Sequence, residues 1–157
     1  MKFQKLNKWL TKHMMLKDIL SAIAVAVLGF ILLNITFLFD ALYQGAIRAI
    51  VGLFTPLDVT MDTYWFPPLM HLSFVIVIGV ISWLVFRSKL RELFKAIYMT
   101  VPCAVVLATI GMFLNPWPIA VYSIGILCVA GVMYYFYHTK QPWLYYYSVL
   151  LISIALA

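Results

Sequence analysis

Long apolar runs separated by short polar stretches dominate the chain from residue 19 onward. The first run, Ile19 to Phe39, has no charged residue and is long enough to cross a bilayer, which takes about 20 apolar residues. Four further apolar runs are bounded at 69–86, 96–114, 118–137 and 143–157. The pattern predicts an all-α, polytopic membrane protein with about five transmembrane helices in a single domain, 1–157. The last run is short for a full crossing and predicts a tilted or thinly spanning helix.

Residues 1–16 precede the first span and have an amphipathic pattern. On a helical wheel, Phe3 and Leu10 lie opposite Lys5, Lys8 and Lys12, and Trp9 lies at the edge of the apolar side. This pattern predicts an interfacial helix on the cytoplasmic membrane surface, or a short helix packed on the ends of the bundle. The charged stretch and the apolar run after it are both too long for a cleavable signal peptide.

The segment 40–66 is predicted to be external. An unbroken helix from residue 18 to Phe54 would extend about 55 Å, beyond a hydrocarbon core of about 30 Å. Either this helix projects from the membrane, or it bends between Asp40 and Gly45 and 46–54 lies along the surface; the amphipathic pattern of 41–54 favours the bend. Pro67 fits the first turn of the next helix, and Pro102 predicts a kink in the third span.

Composition supports the membrane interpretation. Apolar residues make up 66% of the chain and charged residues 10%, whereas soluble domains carry about 25% charged residues. A soluble chain of this length could not bury so much apolar surface, because small domains leave a large share of their surface in water.

The net charge of +6 arises from clustered basic residues. One cluster is in residues 2–17 and the other in 87–95, whereas Asp58 and Asp62 lie in another stretch. The positive-inside rule then predicts a cytoplasmic N-terminus and an external C-terminus, in a cytoplasmic or inner membrane. Ten of the eleven basic residues face inward in this topology, all but Arg48. The distribution predicts membrane lipid, and no nucleic acid, as a partner.

Four polar residues are predicted near the outer leaflet: Asp40, Gln44, Arg48 and His71. The first three recur at i, i+4 and i+8 on one helical stripe. They are candidates for an ion- or ligand-binding vestibule in which Asp40 attracts a cation and His71 responds to pH. The alternative is that Asp40 and Arg48 are simply hydrated at the interface, or are paired with each other or with Asp58 or Asp62.

A second candidate site would bind lipid headgroups. Its candidate residues are basic or aromatic and lie near the predicted cytoplasmic face: Lys5, Lys8, Lys12, Arg87, Lys89, Arg91, Tyr145 and Tyr146. Aromatic residues are dense between 134 and 147, which indicates an interfacial aromatic belt. The alternative is a platform that binds a headgroup, a quinone or a cation.

Signatures of catalysis and of metal or cofactor binding are missing from the sequence. It contains no HExxH and no Gly-x-Ser-x-Gly, and its three histidines are assigned to different loops or ends. Cys103 and Cys128 fall at similar depth on successive spans, and the prediction for both is apolar packing. We therefore predict no catalytic residues, no metal and no cofactor.

Three functions are compatible with these patterns. The leading hypothesis is a small transporter, channel or membrane subunit of a transport complex. A homo-oligomer or partner membrane subunits are then expected, because five thin spans enclose little space. The second is a non-catalytic scaffold or sensor with a basic cytoplasmic docking face. The third is a lipid-modifying membrane enzyme.

Overall fold

Five α-helices account for the predicted apolar runs. The computed structural model describes residues 2–54 and 66–156, with side chains from 15 to 54 and from 67 to 156. The helices are α1 (Lys2–Gly52), α2 (Phe66–Arg87), α3 (Glu92–Leu114), α4 (Pro118–His138) and α5 (Trp143–Leu156). No strand occurs within these described ranges, and the predicted all-α fold is confirmed.

The first helix differs from the prediction of a separate surface helix over 1–16 and a bend after residue 40. α1 is one helix of 51 residues, about 76 Å long. Lys17 and Asp18 interrupt the hydrophobicity, but neither residue breaks a helix. A lone glycine such as Gly45 costs only about 1 kcal/mol, so the helix continues to Gly52. Residues 40–52 of the predicted external segment therefore belong to α1, and residues 55–65 lie outside the described ranges.

The third helix is the centre of the bundle, since α3 packs against each of the other four helices. Its small residues explain this position. Ala96, Thr100 and Ala104 recur every four residues and are each fully buried, so one face of α3 is smooth along two turns. Small residues at this spacing let neighbouring helices approach closely in a membrane. Pro102 lies inside α3, which remains one helix.

Two polar contacts join α3 to its neighbours along this face. The Thr100 hydroxyl lies 3.5 Å from the Gly29 carbonyl of α1 and donates to Ile97 of its own helix at 2.7 Å. The Ser148 hydroxyl of α5 lies 2.7 Å from the Ala96 carbonyl of α3. Helix association in lipid depends on such packing and interhelical hydrogen bonds, so this face fixes α1 and α5 against α3.

Helices α2 and α3 run antiparallel and share an apolar interface. Phe74 and Ile78 of α2 pack against Val101 and Val105 of α3, and all four are buried. We call the end of the bundle where α2 begins the His71 end, and the end where α2 finishes the Arg87 end. The observed α2 begins three residues before the predicted 69, at Phe66, and includes Pro67 in its first turn.

The last two helices lie at the edge. The turn after α4 places Lys140 at φ 51°, and the Gln141 amide donates to the Phe136 carbonyl at 3.0 Å, a Schellman-type helix end. α4 exposes large apolar side chains, among them Ile119 and Leu127. α5 has 14 residues, about 21 Å, and is shorter than the other four.

Four of the five helices, α1 to α4, are long and apolar enough to cross a membrane. Their outward faces carry large exposed apolar side chains, which water would disfavour and lipid would solvate. The architecture therefore fits an integral membrane protein. α5 is the shorter apolar helix that the sequence predicted.

Candidate functional site

Three helices contribute polar side chains to one place near the His71 end of the bundle. We call Asp40 and Gln44 of α1, His71 of α2 and Thr109 of α3 the Asp40–His71 cluster. Asp40 and Gln44 lie one turn apart, and the Gln44 amide Nε2 donates to the Asp40 carboxylate Oδ1 at 3.0 Å. This hydrogen bond within α1 orients the carboxylate and leaves its second oxygen, Oδ2, directed toward α2.

The imidazole of His71 lies between α1 and α3. Its Nδ1 is 3.9 Å from the Asp40 Oδ2, the one ion-pair contact among the described residues. The side chains of His71 and Asp40 are 10% and 18% exposed, so both are largely shielded from solvent. A buried charge requires a partner or hydrogen bonds, and these two residues supply each other's partner when the imidazole is protonated.

The third helix supplies an acceptor to the other side of the imidazole. The Thr109 Oγ1 lies 3.1 Å from His71 Nε2 and donates its own hydrogen to the Val105 carbonyl at 2.6 Å. A hydroxyl has one hydrogen to donate and two lone pairs that accept. With that hydrogen directed to Val105, Nε2 is the donor and Thr109 the acceptor.

Aromatic rings enclose the cluster on the side facing the apolar interface of α2 and α3. The Phe74 ring is 6.4 Å from that of His71 and 5.8 Å from that of Tyr43. The Tyr43 hydroxyl in turn donates to Ser73 at 3.1 Å. Phe74 is 1% exposed, so it separates the cluster from the Arg87 end.

The structure brings together three of the four residues that the sequence singled out for an ion or ligand site. Asp40, Gln44 and His71 are in contact, whereas Arg48 is exposed on α1, about 12 Å further along the helix axis. Thr109 was missed. Its sequence context indicates only a hydroxyl that bonds to its own helix. The spacing of residues on α3 does not predict a contact between Thr109 and His71.

The candidate headgroup residues divide into two groups. Arg87, Lys89 and Arg91 are exposed at the Arg87 end, and the Arg87 guanidinium lies 5.1 Å from the centre of the Trp83 ring, a cation–π contact. The side chains of Lys5, Lys8 and Lys12 lie outside the described residues.

The aromatic members of that group pack against the end of α4. Tyr145 is buried and packs on Phe136, with ring centres 5.9 Å apart, and Tyr146 is half-buried against the same ring at 5.5 Å. Tyr145 recurs with Ser148 and Ile152 on the buried stripe of α5, so helical periodicity turns it inward. Tyr134 is one of the tyrosines that remain exposed.

Cys103 of α3 and Cys128 of α4 line one apolar cavity of about 300 Å³ and are free thiols. The prediction that these spans bring the two cysteines to similar depth agrees with this arrangement. Among the described residues, no group of three His, Cys, Asp or Glu side chains is placed to hold a metal ion.

The fold and the cluster together define a class: a small helical integral membrane protein with a polar site shared by three helices. No protein-family model, curated protein or solved structure matches the chain. The functional argument therefore depends on the residues themselves.

Proposed function

We propose that the protein is a small transport protein for a cation, and that the Asp40–His71 cluster is its ion-binding element. The observation that carries this proposal is the ion-pair contact between Asp40 of α1 and His71 of α2, extended to Thr109 of α3. Ionisable residues inside a membrane domain are costly and typically mark ion pathways or proton relays. A site shared by three helices also links ion occupancy to the way those helices pack.

Asp40, His71 and Thr109 are connected in the same order as the residues of a hydrolytic triad. Their geometry nevertheless favours transport over hydrolysis. The Thr109 hydrogen is directed to Val105 and not to the imidazole, so His71 does not act on it as a base. The 3.9 Å between Nδ1 and Oδ2 exceeds a hydrogen bond. Thr109 lies within α3, whose amides there bond within the helix and offer no oxyanion donors.

The test is cation flux into proteoliposomes that contain the full chain. We expect the wild type to move a cation down an imposed gradient and Asp40→Asn to reduce that flux to the level of protein-free liposomes, because the amide removes the charge that attracts the ion. Asp18→Asn is the matched control, since Asp18 is an exposed carboxylate on the same helix. Absence of wild-type flux for H⁺, Na⁺ and K⁺, or equal flux in Asp40→Asn, would contradict the proposal.

A second candidate, a membrane scaffold or sensor, is supported by the length of α1. At about 76 Å this helix of 51 residues exceeds a hydrocarbon core of about 30 Å, so part of it projects beyond the lipid. Its first turns carry Lys5, Lys8 and Lys12, which would attract anionic headgroups or an acidic partner.

This candidate is tested by mixing the chain in neutral-lipid nanodiscs with vesicles that contain phosphatidylserine. Replacing Lys5, Lys8 and Lys12 together by Gln should abolish co-flotation with the vesicles, whereas Lys140→Gln should retain it, because Lys140 lies outside both basic clusters. Retained co-flotation of the triple variant would remove the support for a docking role.

A further inference from the structure

We infer that the ion bound at the Asp40–His71 cluster is a proton, taken up by His71 opposite the Asp40 carboxylate, and not an alkali cation. This inference rests on the proposed transport function and specifies its substrate. It is carried by the assignment of hydrogens around the imidazole, by the small number of oxygen atoms available, and by the apolar packing next to the cluster.

The first step concerns the imidazole. Since Thr109 gives its hydrogen to Val105, the His71 Nε2 at 3.1 Å carries a hydrogen. In the neutral ring Nδ1 then has a lone pair, and that lone pair faces the Asp40 Oδ2 at 3.9 Å. Two acceptors in this position repel each other. A proton transferred from hydronium to Nδ1 leaves water behind and converts the repulsion into an attraction between imidazolium and carboxylate.

The second step concerns the charged and titratable groups around the imidazole. On α1 these are Asp40 and Tyr43, and Tyr43 donates its hydroxyl hydrogen to Ser73. α3 faces the imidazole with Thr109, which does not titrate, and Arg48 is exposed about 12 Å beyond Asp40 along α1. Among the described residues Asp40 is therefore the charged group in contact with His71.

The third step excludes an alkali cation. Such ions are bound by several oxygens that replace their water, often carbonyls of unwound helices. Here α1 and α2 are continuous helices, so their carbonyls bond within the helix. The Asp40 Oδ1 already accepts from Gln44, and Thr109 already faces His71. Among the residues that the structure describes, the remaining oxygens are too few for a dehydrated Na⁺ or K⁺, whereas one proton needs only Nδ1.

The fourth step concerns the route. Beyond the cluster the α2–α3 interface is closed by four buried apolar residues, Phe74, Ile78, Val101 and Val105. The next polar pair, Ser82 and Tyr98 at 3.3 Å, lies beyond them toward the Arg87 end. A proton on His71 thus exchanges at the His71 end alone in this conformation. Passage to the other end requires α2 and α3 to repack, as in a carrier and unlike an open pore.

The experiment combines flux with a direct measurement of protonation. The full chain is reconstituted in liposomes with an internal pH dye or an internal Na⁺ dye, and the protonation of His71 is followed by ¹⁵N NMR of labelled histidine. We expect H⁺ uptake without Na⁺ uptake, and ¹⁵N signals of His71 that change from the neutral to the cationic form when the liposomes take up H⁺. Asp40→Asn removes the carboxylate that lies 3.9 Å from Nδ1 and should reduce the H⁺ uptake.

His71→Gln should lose H⁺ uptake, because glutamine does not take up a proton. His138→Gln is the matched control at an exposed histidine and should retain the uptake. Na⁺ or K⁺ flux without H⁺ flux, blocked by Asp40→Asn, would overturn the proton assignment and leave the proposed transport function standing. If His71 becomes protonated but the protein moves no cation, the result would support proton binding at His71 and overturn the proposed transport function. A His71 that stays neutral while the wild type takes up H⁺ would overturn this inference without the use of any variant.

Discussion

At the scale of single residues, Gly29 of α1 lies at a close approach between two helices, α1 and α3. A Cβ added there would lie 2.8 Å from the Thr100 Cγ2, which is too short for a van der Waals contact, and Thr100 is fully buried. We expect Gly29→Ala to destabilise the bundle by about 1–3 kcal/mol, because α1 and α3 must separate. Thermal unfolding in detergent, followed by circular dichroism, measures this loss.

Two variants make the Gly29 prediction specific. Gly79→Ala adds the same methyl group where no atom lies within 4 Å, so it should be neutral or stabilising by up to about 1 kcal/mol. Thr100→Ser removes the Cγ2 atom and should recover part of the loss in Gly29→Ala. Equal unfolding temperatures for Gly29→Ala and Gly79→Ala would contradict the close approach.

The Ser148 hydroxyl tests the polar contact between α5 and α3. It lies 2.7 Å from the Ala96 carbonyl of α3 and 2.8 Å from the Leu144 carbonyl of its own helix. We expect Ser148→Ala to cost about 0.6 kcal/mol, the average for hydrogen bonds between membrane helices. Ser153→Ala is the control because Ser153 bonds only to Val149 of its own helix. A cost no larger for Ser148→Ala than for Ser153→Ala, measured by unfolding in detergent, would rule out an interhelical contribution.

The candidate site was predictable from the sequence only in part. Asp40 and Gln44 share a helical stripe, and His71 lies in the second turn of the next helix, so their proximity follows from spacing and topology. Thr109 lies 38 positions from His71, and nothing in its local pattern identifies a partner at that separation. The inward orientation of Tyr145 was also not predicted, because aromatic density near a helix end indicates an interface whether or not the ring is buried.

At the scale of elements, the continuity of α1 is the largest departure from expectation, and it can be measured directly. Spin labels at Met15 and Ile50, both exposed on α1, should be about 53 Å apart along a straight helix. Double electron–electron resonance of the reconstituted chain gives this distance. A bend between Asp40 and Gly45 would shorten it, and a distance well below the straight-helix value would restore the surface-helix alternative.

The reason for this departure is that hydrophobicity indicates which residues can lie in lipid, whereas helix propensity decides where the helix ends. An apolar run shows how much of a helix can lie in lipid, so the spans at 69–86, 96–114 and 118–137 were bounded to within a few residues. It does not show where the helix ends, which depends on breakers and caps. Residues 2–52 contain no proline, and the helix therefore passes through charged residues such as Lys17 and Asp18.

At the scale of the whole molecule, the central position of α3 depends on its buried stripe of small residues. Ala96, Thr100 and Ala104 are visible in the sequence at i, i+4 and i+8. Such triplets are common in apolar helices, however, and only packing shows that α1 and α5 use this one. The all-α fold and the apolar runs were thus predictable, whereas the arrangement of the helices was not.

Sidedness is also a property of the whole molecule, and the positive-inside rule predicts it from the basic clusters. The turn at Asn115 is expected outside and the loop at Leu90 inside, and both residues are exposed. In a background with Cys103→Ala and Cys128→Ala, a membrane-impermeant maleimide added to intact cells should label Asn115→Cys and leave Leu90→Cys unlabelled until the cells are permeabilised. The reverse pattern would place the His71 end of the bundle in the cytoplasm, and protons would then reach His71 from that side in the conformation described.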